Sequence, residues 1–334
     1  MGEESTSSPS SGEPPAAPRK STAPSGTQIV KSLIAGGVAG GLSRTAVAPL
    51  ERLKILMQVQ GNDKIYKGVW QGLMHMARAE GVRGMMKGNW TNCVRIIPNS
   101  AMKFFTFEQL CRLMSDHQLE TTGSGALTPG LRLAAGAGAG IVAMSATYPL
   151  DMVRGRLTVQ EGRNVQYNGI IHATKTIWRE EGFLAFYRGW LPSVIGVVPY
   201  VGLNFGVYET LKASLLAHYN LRDERELSVG ARLGCGALAG TTGQTVAYPF
   251  DVARRRLQVS GWQGARELHS DHGSVVAYRG MMDCFGRTVR EEGFGALFKG
   301  LWPNYLKVVP SIAIAFVTYE QVKELLGVEI RISE

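Results

Sequence analysis

Long apolar stretches alternate with short polar ones along most of the chain. Two of these stretches, residues 133–150 and 191–208, contain no charge over 18 positions, which is the length at which a helix can cross a membrane. The other apolar stretches are similar in length, rich in Gly and Ala, and interrupted by a few basic residues. The pattern predicts an all-α membrane protein with six long helices, at about 28–59, 89–113, 129–160, 190–216, 229–259 and 301–326.

A proline motif recurs three times in register, each time late in the first helix of a pair. The prolines lie 100 residues apart, and each is followed by an acid two residues later and a base three residues after that: Pro49, Glu51 and Lys54; Pro149, Asp151 and Arg154; Pro249, Asp251 and Arg254. A fixed long period indicates a repeated structural unit. We expect each proline to kink its helix rather than end it, and the acids and bases to close a ring if the units pack around one axis.

The rest of each repeat follows the same order. A polar loop and a short amphipathic segment come after the first helix, then an acid-Gly pair at 80–81, 181–182 and 292–293, and a base-Gly pair at 87–88, 188–189 and 299–300. The sequence therefore predicts a disordered N-terminal tail over 1–27, rich in Ser, Pro and Gly, and three two-helix repeats over 28–116, 129–219 and 229–327, each with a short amphipathic helix.

Composition favours membrane helices that surround a polar cavity over a bundle that faces only lipid. Charged residues make up 19% of the chain, the mean hydropathy is −0.02 and the net charge is +9. A basic excess attracts anionic ligands, and the absence of a recognition motif argues against nucleic acid as the partner. The four cysteines and six histidines have no metal, disulfide or catalytic-triad spacing, so we expect no cofactor, no metal and no enzyme activity.

The loops inside each repeat are basic, whereas the connection 113–128 between repeats carries acids without Lys or Arg. The excess of positive charge in cytoplasmic or matrix loops then places the loops within repeats on that side and both termini on the other.

Together, these motifs resemble the mitochondrial carrier family over about residues 28–326. The resemblance implies six transmembrane helices with threefold pseudo-symmetry, alternating access to a central site, and a multi-pass location in the mitochondrial inner membrane. It also implies a matrix gate of three ion pairs, Glu51–Arg154, Asp151–Arg254 and Asp251–Lys54. Gln58 and Gln258 match the family's bracing glutamines, and Thr158 stands at the second brace position.

The family's opposite gate is an aromatic-acid-x-x-base motif on the second helix of each repeat. Tyr208-Glu209 with Lys212 and Tyr319-Glu320 with Lys323 match it, whereas Phe107-Glu108 is followed by Cys111 in place of the base. The resemblance implies the pairs Glu108–Lys212 and Glu209–Lys323, and a weak or absent third pair for Glu320.

Residues that differ between repeats at mid-membrane should select the substrate. The second helix of the first repeat carries Arg95, Asn99 and Lys103, that of the third carries Lys307 and Ser311, and that of the second is apolar with Gly196, Val197 and Tyr200. Cations for phosphates beside a slot for a flat base describe a nucleotide. Plain helix packing explains Gly196 and Val197 equally well.

This arrangement resembles the family's adenine-nucleotide carriers, in which the Gly-aliphatic pair takes the adenine. The resemblance also assigns Arg44 to phosphate binding and Asn204 to the cavity wall. It implies a strict antiporter that exchanges cytosolic AMP and ADP for matrix ATP in a plant or green alga. Its partners would be the adenine nucleotides and membrane lipid such as cardiolipin, and the carrier would be a monomer.

Two alternatives stay open from the sequence. A carrier of coenzyme A or of ATP-Mg and phosphate would use a similar basic cavity. A membrane scaffold that kept the fold and lost transport should have broken gate rings, and the charges of the matrix ring are present in all three repeats.

Overall fold

The structure, a computed structural model, describes residues 26–61, 65–122, 126–160, 166–221, 226–265 and 277–327. The predicted tail lies outside these ranges except for its last two residues, which begin the first helix. Within the described ranges the regular structure is helical, with eleven α-helices and no strand. They are α1 Gly26–Val59, α2 Val69–Met85, α3 Asn89–Thr122, α4 Pro129–Ala146, α5 Tyr148–Val159, α6 Ile170–Glu181, α7 Trp190–His218, α8 Val229–Val259, α9 Met281–Glu292, α10 Leu301–Leu306 and α11 Val308–Leu325.

The three motif prolines act differently on their helices. α1 and α8 run through Pro49 and Pro249, whereas the corresponding helix of the second repeat breaks at Thr147 into α4 and α5, whose axes differ by 63°. Pro149 has no N–H for the helix ladder, and the carbonyl of Ala143 accepts from both the backbone N–H of Thr147 at 3.1 Å and its hydroxyl at 2.8 Å, a side-chain bond that often bends helices. The expected kink is therefore a break in this repeat.

Two of the predicted second helices also differ from expectation. α3 continues to Thr122 rather than ending near 113, because neither Gly nor Pro occurs between 113 and 122. The last long helix is interrupted at Lys307, between α10 and α11. Pro310 cannot donate a backbone hydrogen bond to the residue four positions earlier, Leu306, although α3 and α7 run through Pro98 and Pro199 at the same place in their repeats.

The short helices lie between the long helices of each repeat. α6 and α9 end at Gly182 and Gly293, and each is followed by a single turn of 3-10 helix, at Phe183–Tyr187 and Phe294–Phe298. In the first repeat α2 is instead kinked at Gly81, whose backbone is not helical and whose φ is +68°. The prediction of a short amphipathic helix in each repeat is thus confirmed, with a local difference in the first.

The long helices form a closed ring. α3 packs along α4, α7 packs along α8, and α11 packs along α1, which joins the last repeat to the first. A lysine from α1 strengthens this closure, because Lys31 Nζ donates to the carbonyl of Leu326 at 2.7 Å. The main buried cluster lies where α1, α2, α5 and α6 meet, around Leu53, Leu56 and Ile177.

Many large apolar side chains are exposed along the long helices, among them Ile97, Leu238 and Phe316, as expected where lipid is the solvent. In the described part of the chain, two segments are long and apolar enough to cross a membrane, Phe183–His218 and Phe294–Leu325. The bent pair α4–α5 makes a third if it counts as one span.

Candidate functional site

Six charged side chains of the proline motifs meet where α1, α5 and α8 come together, and we call them the charge ring. Each contact joins two different repeats: Arg154 to Glu51 at 2.9 Å, Arg254 to Asp151 at 2.6 Å and Lys54 to Asp251 at 2.6 Å. These are the pairings predicted from the sequence. The ring is largely buried, and the Asp151 side chain is only 1% exposed, so removing one partner would leave an uncompensated charge.

Glutamine side chains brace two of the three ring pairs. The amide of Gln58 donates to Asp251 at 3.2 Å, and that of Gln258 donates to Asp151 at 2.9 Å. Thr158 stands at the second brace position, but its hydroxyl donates to the carbonyl of Arg154 in its own helix at 2.7 Å. The pair between the first and second repeats therefore has no glutamine brace.

The two ring pairs that have a glutamine brace also have a tyrosine beside their base, and the third pair does not. The Arg254 guanidinium lies 5.5 Å from the ring centroid of Tyr148, and Lys54 Nζ lies 5.3 Å from that of Tyr248. Such cation–π contacts favour the base in its paired position. The first repeat has Ala48 at this place in its motif, so the ring is threefold in its charges but not in its surroundings.

Two of the predicted phosphate ligands reach the ring acids. Arg95 Nη1 lies 3.1 Å from Asp151 Oδ1, at an angle that makes the contact electrostatic rather than a hydrogen bond. Lys307 Nζ lies 3.6 Å from Glu51 Oε1. Both side chains keep about a fifth of their surface exposed, 19% and 21%. The basic residues of the predicted site and the ring thus form one continuous network.

The predicted base slot borders an open cavity of about 220 Å³ between α4, α7 and α8. Gly196, Val197 and Tyr200 line it, and the ring residues Asp251 and Arg254 lie at its end. Gly196 also has a packing role, because a Cβ there would lie 3.1 Å from the Cβ of Phe250. Both explanations of Gly196 therefore have a contact that supports them.

Six residues of this cavity wall were not predicted from the sequence: Met144, Pro192, Ser193, Gln244, Ala247 and Phe250. Among them, Gln244 lies one residue after Gly243, where α8 approaches α7 closely. A Cβ at Gly243 would be 2.9 Å from the carbonyl oxygen of Tyr200 and 3.4 Å from the backbone nitrogen of Asn204. The sequence signal for Gln244 was the neighbouring Gly243, but the sequence does not show which helix packs against that glycine.

The remaining predicted site residues lie around the ring rather than at one point. Arg44 donates to Asn92 at 3.4 Å, Asn99 donates to Thr147 at 3.0 Å, and the hydroxyls of Ser43 and Ser311 lie 3.0 Å apart. Lys103 is exposed farther along α3. Asn92, missed from the sequence, also donates to Glu51 at 3.4 Å.

The structure does not bring the predicted opposite gate together. Lys212 contacts Glu209 of its own helix at 2.7 Å, and Lys323 lies 5.3 Å from the ring centroid of Tyr319, also in its own helix. Between the residues that the structure describes, no ion pair joins Glu108 to Lys212 or Glu209 to Lys323, and Glu320 is exposed. The physical reason is that the long helices are drawn together at the charge ring, which lies at the other end of the second helices.

A second layer of ion pairs, missed from the sequence, links the short helices to the long ones. The layer has one group of three side chains in each repeat. In each group a buried arginine pairs with the glutamate of the acid-Gly pair, and the base of the base-Gly pair contacts the same glutamate. The groups are Arg52, Glu80 and Lys87; Arg156, Glu181 and Arg188; and Arg256, Glu292 and Lys299.

These arginines also join neighbouring repeats. Their Nε atoms donate to carbonyls of the next long helix, from Arg52 to Thr158 and from Arg256 to Gln58, each at 3.1 Å. Arg52 lies three residues after its motif proline, whereas Arg256 lies seven after its own. Because four residues make about one helical turn, both sit on the same helix face. That offset hid the layer from a search at fixed spacing.

The layer's glutamates have perturbed acidities. Burial alone would raise the pKa of Glu80 and Glu292, but the hydrogen bonds from Arg52 and Lys87, and from Arg256 and Lys299, outweigh it and hold both pKa values below the usual range. The same balance lowers the pKa of Glu181. All three are charged at neutral pH, as ion-pair partners of the arginines.

Comparison with known proteins gives relatives along almost the whole chain. The chain is 62% identical over 315 residues to the mitochondrial adenine nucleotide transporter ADNT1 of Arabidopsis thaliana, covering 92% of this chain and 90% of that protein. It is 41% identical to the mitochondrial carrier protein CoAc1 of Zea mays, covering 89% and 87% of the two chains. It is 39% identical to the mitochondrial adenyl nucleotide antiporter SLC25A24-A of Xenopus laevis, covering 89% of this chain and 59% of that longer protein.

The family described as mitochondrial carrier protein matches three successive segments, residues 25–118, 125–219 and 225–329. These segments coincide with the three structural repeats, and each contributes one acid and one base to the charge ring. The chain therefore belongs to the mitochondrial carrier family.

Proposed function

We propose that this protein is an adenine nucleotide antiporter of the mitochondrial inner membrane, which it crosses with six helices, and that it exchanges cytosolic AMP and ADP for matrix ATP by alternating access. The observation that carries the proposal is the position of Arg95 and Lys307, each beside a ring carboxylate and with about a fifth of its side chain still exposed. The relatives named as adenine nucleotide transporters and antiporters support the choice of substrate.

The phosphates bind the basic residues, and the cavity beside Gly196 and Tyr200 holds the base. A cavity of about 220 Å³ with apolar lining residues and the ring cation Arg254 in its wall suits a ligand with a flat ring and an anionic tail. Arginine presents a planar fork that matches phosphate oxygens. No covalent step and no cofactor is needed for such an exchange.

The charge ring serves as the matrix gate, closed in this state. When phosphate binds Arg95 and Lys307, it competes with Asp151 and Glu51 for the same cations, so two ring acids lose contacts and the ring becomes easier to open. A ligand shifts a conformational equilibrium only through its different affinity for the two states. After the switch, we expect Glu108 to pair with Lys212 and Glu209 with Lys323 at the opposite end.

The test is uptake of labelled ATP into liposomes that contain the purified protein and are preloaded with AMP, ADP, ATP, phosphate or coenzyme A. Uptake only against internal adenine nucleotides is expected. Uptake driven by phosphate would instead indicate an ATP-Mg and phosphate carrier, and uptake driven by coenzyme A a coenzyme A carrier. Absence of uptake with every internal compound, in protein that is folded by circular dichroism, would favour a non-transporting scaffold.

Membrane lipid is a proposed partner at the interface of the second and third repeats. A cavity of about 440 Å³ lies there, lined by Arg188, Trp190, Tyr278 and Arg279. Two arginines beside aromatic side chains suit an anionic headgroup at a membrane surface, and cardiolipin meets that description. Thermal unfolding of the monomeric carrier with and without cardiolipin tests it, and equal stabilisation by neutral lipid would contradict it.

A further inference from the structure

The three ring acids differ in how many bases they hold. Asp151 contacts Arg254 at 2.6 Å, and it also contacts Arg255 at 3.3 Å and Arg95 at 3.1 Å. Asp251 contacts one base, Lys54, at less than 4 Å among the residues that the structure describes. The interface between α5 and α8, which Asp151 and Arg254 join, is therefore the most densely paired of the three.

Arg255 also contacts Gln258, the glutamine that braces Asp151. Its Nη1 donates to Oε1 of Gln258 at 2.8 Å, while the amide nitrogen of Gln258 donates to Asp151 at 2.9 Å. Because the oxygen of the amide is held by Arg255, its nitrogen must point at Asp151. Arg255 thus fixes the orientation in which Gln258 can brace the ring.

The opposite helix leaves room for this arrangement. A Cβ at Gly155 of α5 would lie 2.8 Å from Oε1 of Gln258 and 3.6 Å from Nη1 of Arg255. The corresponding motif position holds Ile55 in the first repeat, Gly155 in the second and Arg255 in the third. The absence of a side chain at Gly155 thus leaves the space that Arg255 and Gln258 occupy. The other two interfaces of the ring do not have this pair of residues.

We propose that Arg255 is a positioning residue of the matrix gate, which strengthens the closed interface between the second and third repeats through Asp151 and Gln258. This rests on the proposed transport function. Arg255 is 9% exposed and holds Asp151 and the Gln258 amide, whereas the side chains of the proposed phosphate ligands Arg95 and Lys307 are about a fifth exposed. It therefore acts on the gate rather than on the substrate.

Transport measurements on the Arg255→Gln variant can distinguish a role in the gate from a role in phosphate binding. The variant and wild type are compared in liposomes for exchange of ATP, ADP and AMP, and for one-way efflux of internal ATP without external substrate. We expect the ratio of efflux to exchange to rise roughly fivefold or more, since a charge-assisted hydrogen bond contributes enough to shift an equilibrium by about tenfold. The KM values of the three nucleotides should keep their wild-type ratios.

Two results would overturn the proposal. A KM that rises with the number of phosphates would make Arg255 a phosphate ligand, and an unchanged efflux ratio would mean that it has no effect on the gate. The Arg290→Gln variant, which removes an exposed arginine from α9, is the matched control and should behave as wild type.

Stability in detergent tests the contact itself without relying on transport. Gly155→Ala crowds the Gln258 amide, so we expect it to lower the midpoint of thermal unfolding by about 3 °C or more in wild type. The same change should have less than half that effect in the Arg255→Gln background, where the amide is free to turn. Equal effects in both backgrounds would contradict the three-residue contact, even if the protein proves to transport nothing.

Discussion

At the scale of single residues, Arg95 and Lys307 can each pair with a ring acid or with a phosphate group of the proposed substrate. In the state described here their partners are Asp151 and Glu51, at 3.1 and 3.6 Å, and neither contact is a hydrogen bond. A phosphate group that offers hydrogen bonds to an arginine or lysine competes well with such contacts. This pairing without hydrogen bonds is therefore what makes these residues suitable for binding and release.

Removing either cation should impair exchange. For Arg95→Ala and Lys307→Ala we expect kcat/KM for ATP to fall by at least about tenfold, because a hydrogen bond to a charged group is worth roughly 1.5–3 kcal/mol. The measurement is ATP exchange in liposomes at matched protein content. Loss with Arg95→Ala but full activity with Lys307→Ala would count against a shared phosphate site.

The sequence was sufficient to predict the residues with strong patterns and insufficient for the others. The charge signs and the fixed period predicted that the acids and bases could form a ring, and the resemblance to the mitochondrial carrier family assigned the partners in advance. Arg52 and Arg255 could not, because Arg52 is offset by one turn from its counterparts and Arg255 depends on space left by Gly155. Contacts that depend on the space left by another helix are not encoded in a one-dimensional pattern.

At the scale of elements, the glycine that begins α10 is a structural requirement. Gly300 has a φ of +86°, and a Cβ there would lie 2.9 Å from the carbonyl oxygen of Lys54. Gly300→Ala should destabilise the protein by about 2 kcal/mol or more, since both the conformation and the close approach are unfavourable. Thermal unfolding measures this loss.

Gly286 provides the control for that substitution. It lies inside α9, and a Cβ there meets nothing within 4 Å. Gly286→Ala should leave stability unchanged or raise it by up to about 1 kcal/mol, because alanine favours a helix. If both alanine variants unfolded at the same temperature, the close approach of Gly300 to α1 would be wrong.

The links between short and long helices should depend on pH in one direction. The pKa of Glu292 is lowered in the folded protein, so its contribution is fully present above the unfolded pKa of about 4.3. It is lost as the pH falls from there through the lower folded value. The thermal midpoints of wild type and Glu292→Gln should therefore differ by a constant amount above about pH 5.5 and converge on acidification. If the difference in thermal midpoint grew below pH 5, the pKa of Glu292 would be raised rather than lowered in the folded protein.

Element boundaries were less predictable than the elements themselves. The end of α3 was predicted near residue 113, but the helix extends to Thr122, just before the glycine at position 123. The break at Thr147 could not be predicted either, since Pro49 and Pro249 occur in the same motif without breaking their helices. The second repeat has Thr147 where the other two have Val47 and Ala247.

At the scale of the whole molecule, the period of 100 residues predicts the three-part architecture, but it cannot predict which end of the ring is closed. The sequence carries the motifs of both proposed gates. In the structure the pairs at the proline motifs are made, while Glu108 is exposed and Lys212 contacts Glu209 of its own helix. If the two motifs close alternately, as proposed, the sequence pattern alone gives no preference between the two states.

The unequal surroundings of the three ring pairs lead to a final prediction. Exchanging the charges of one pair, with Glu51→Arg and Arg154→Glu together, should restore at least about threefold more ATP exchange than either single change, because the double variant keeps the pair and the singles leave a buried charge unpaired. Restoration should be incomplete, since Lys307 lies 3.6 Å from Glu51 and would face the new arginine.

The same exchange at Asp151 and Arg254 should restore much less. An arginine at position 151 would face Arg95 and Arg255 as well as its new partner, and the Gln258 amide nitrogen would lose its acceptor. The comparison of the two double variants with their four single variants thus measures how far each pair is embedded in its surroundings. Equal restoration at both pairs would mean that the additional contacts of Asp151 contribute little to the gate, and no restoration at either would mean that the ring pairs are assigned wrongly.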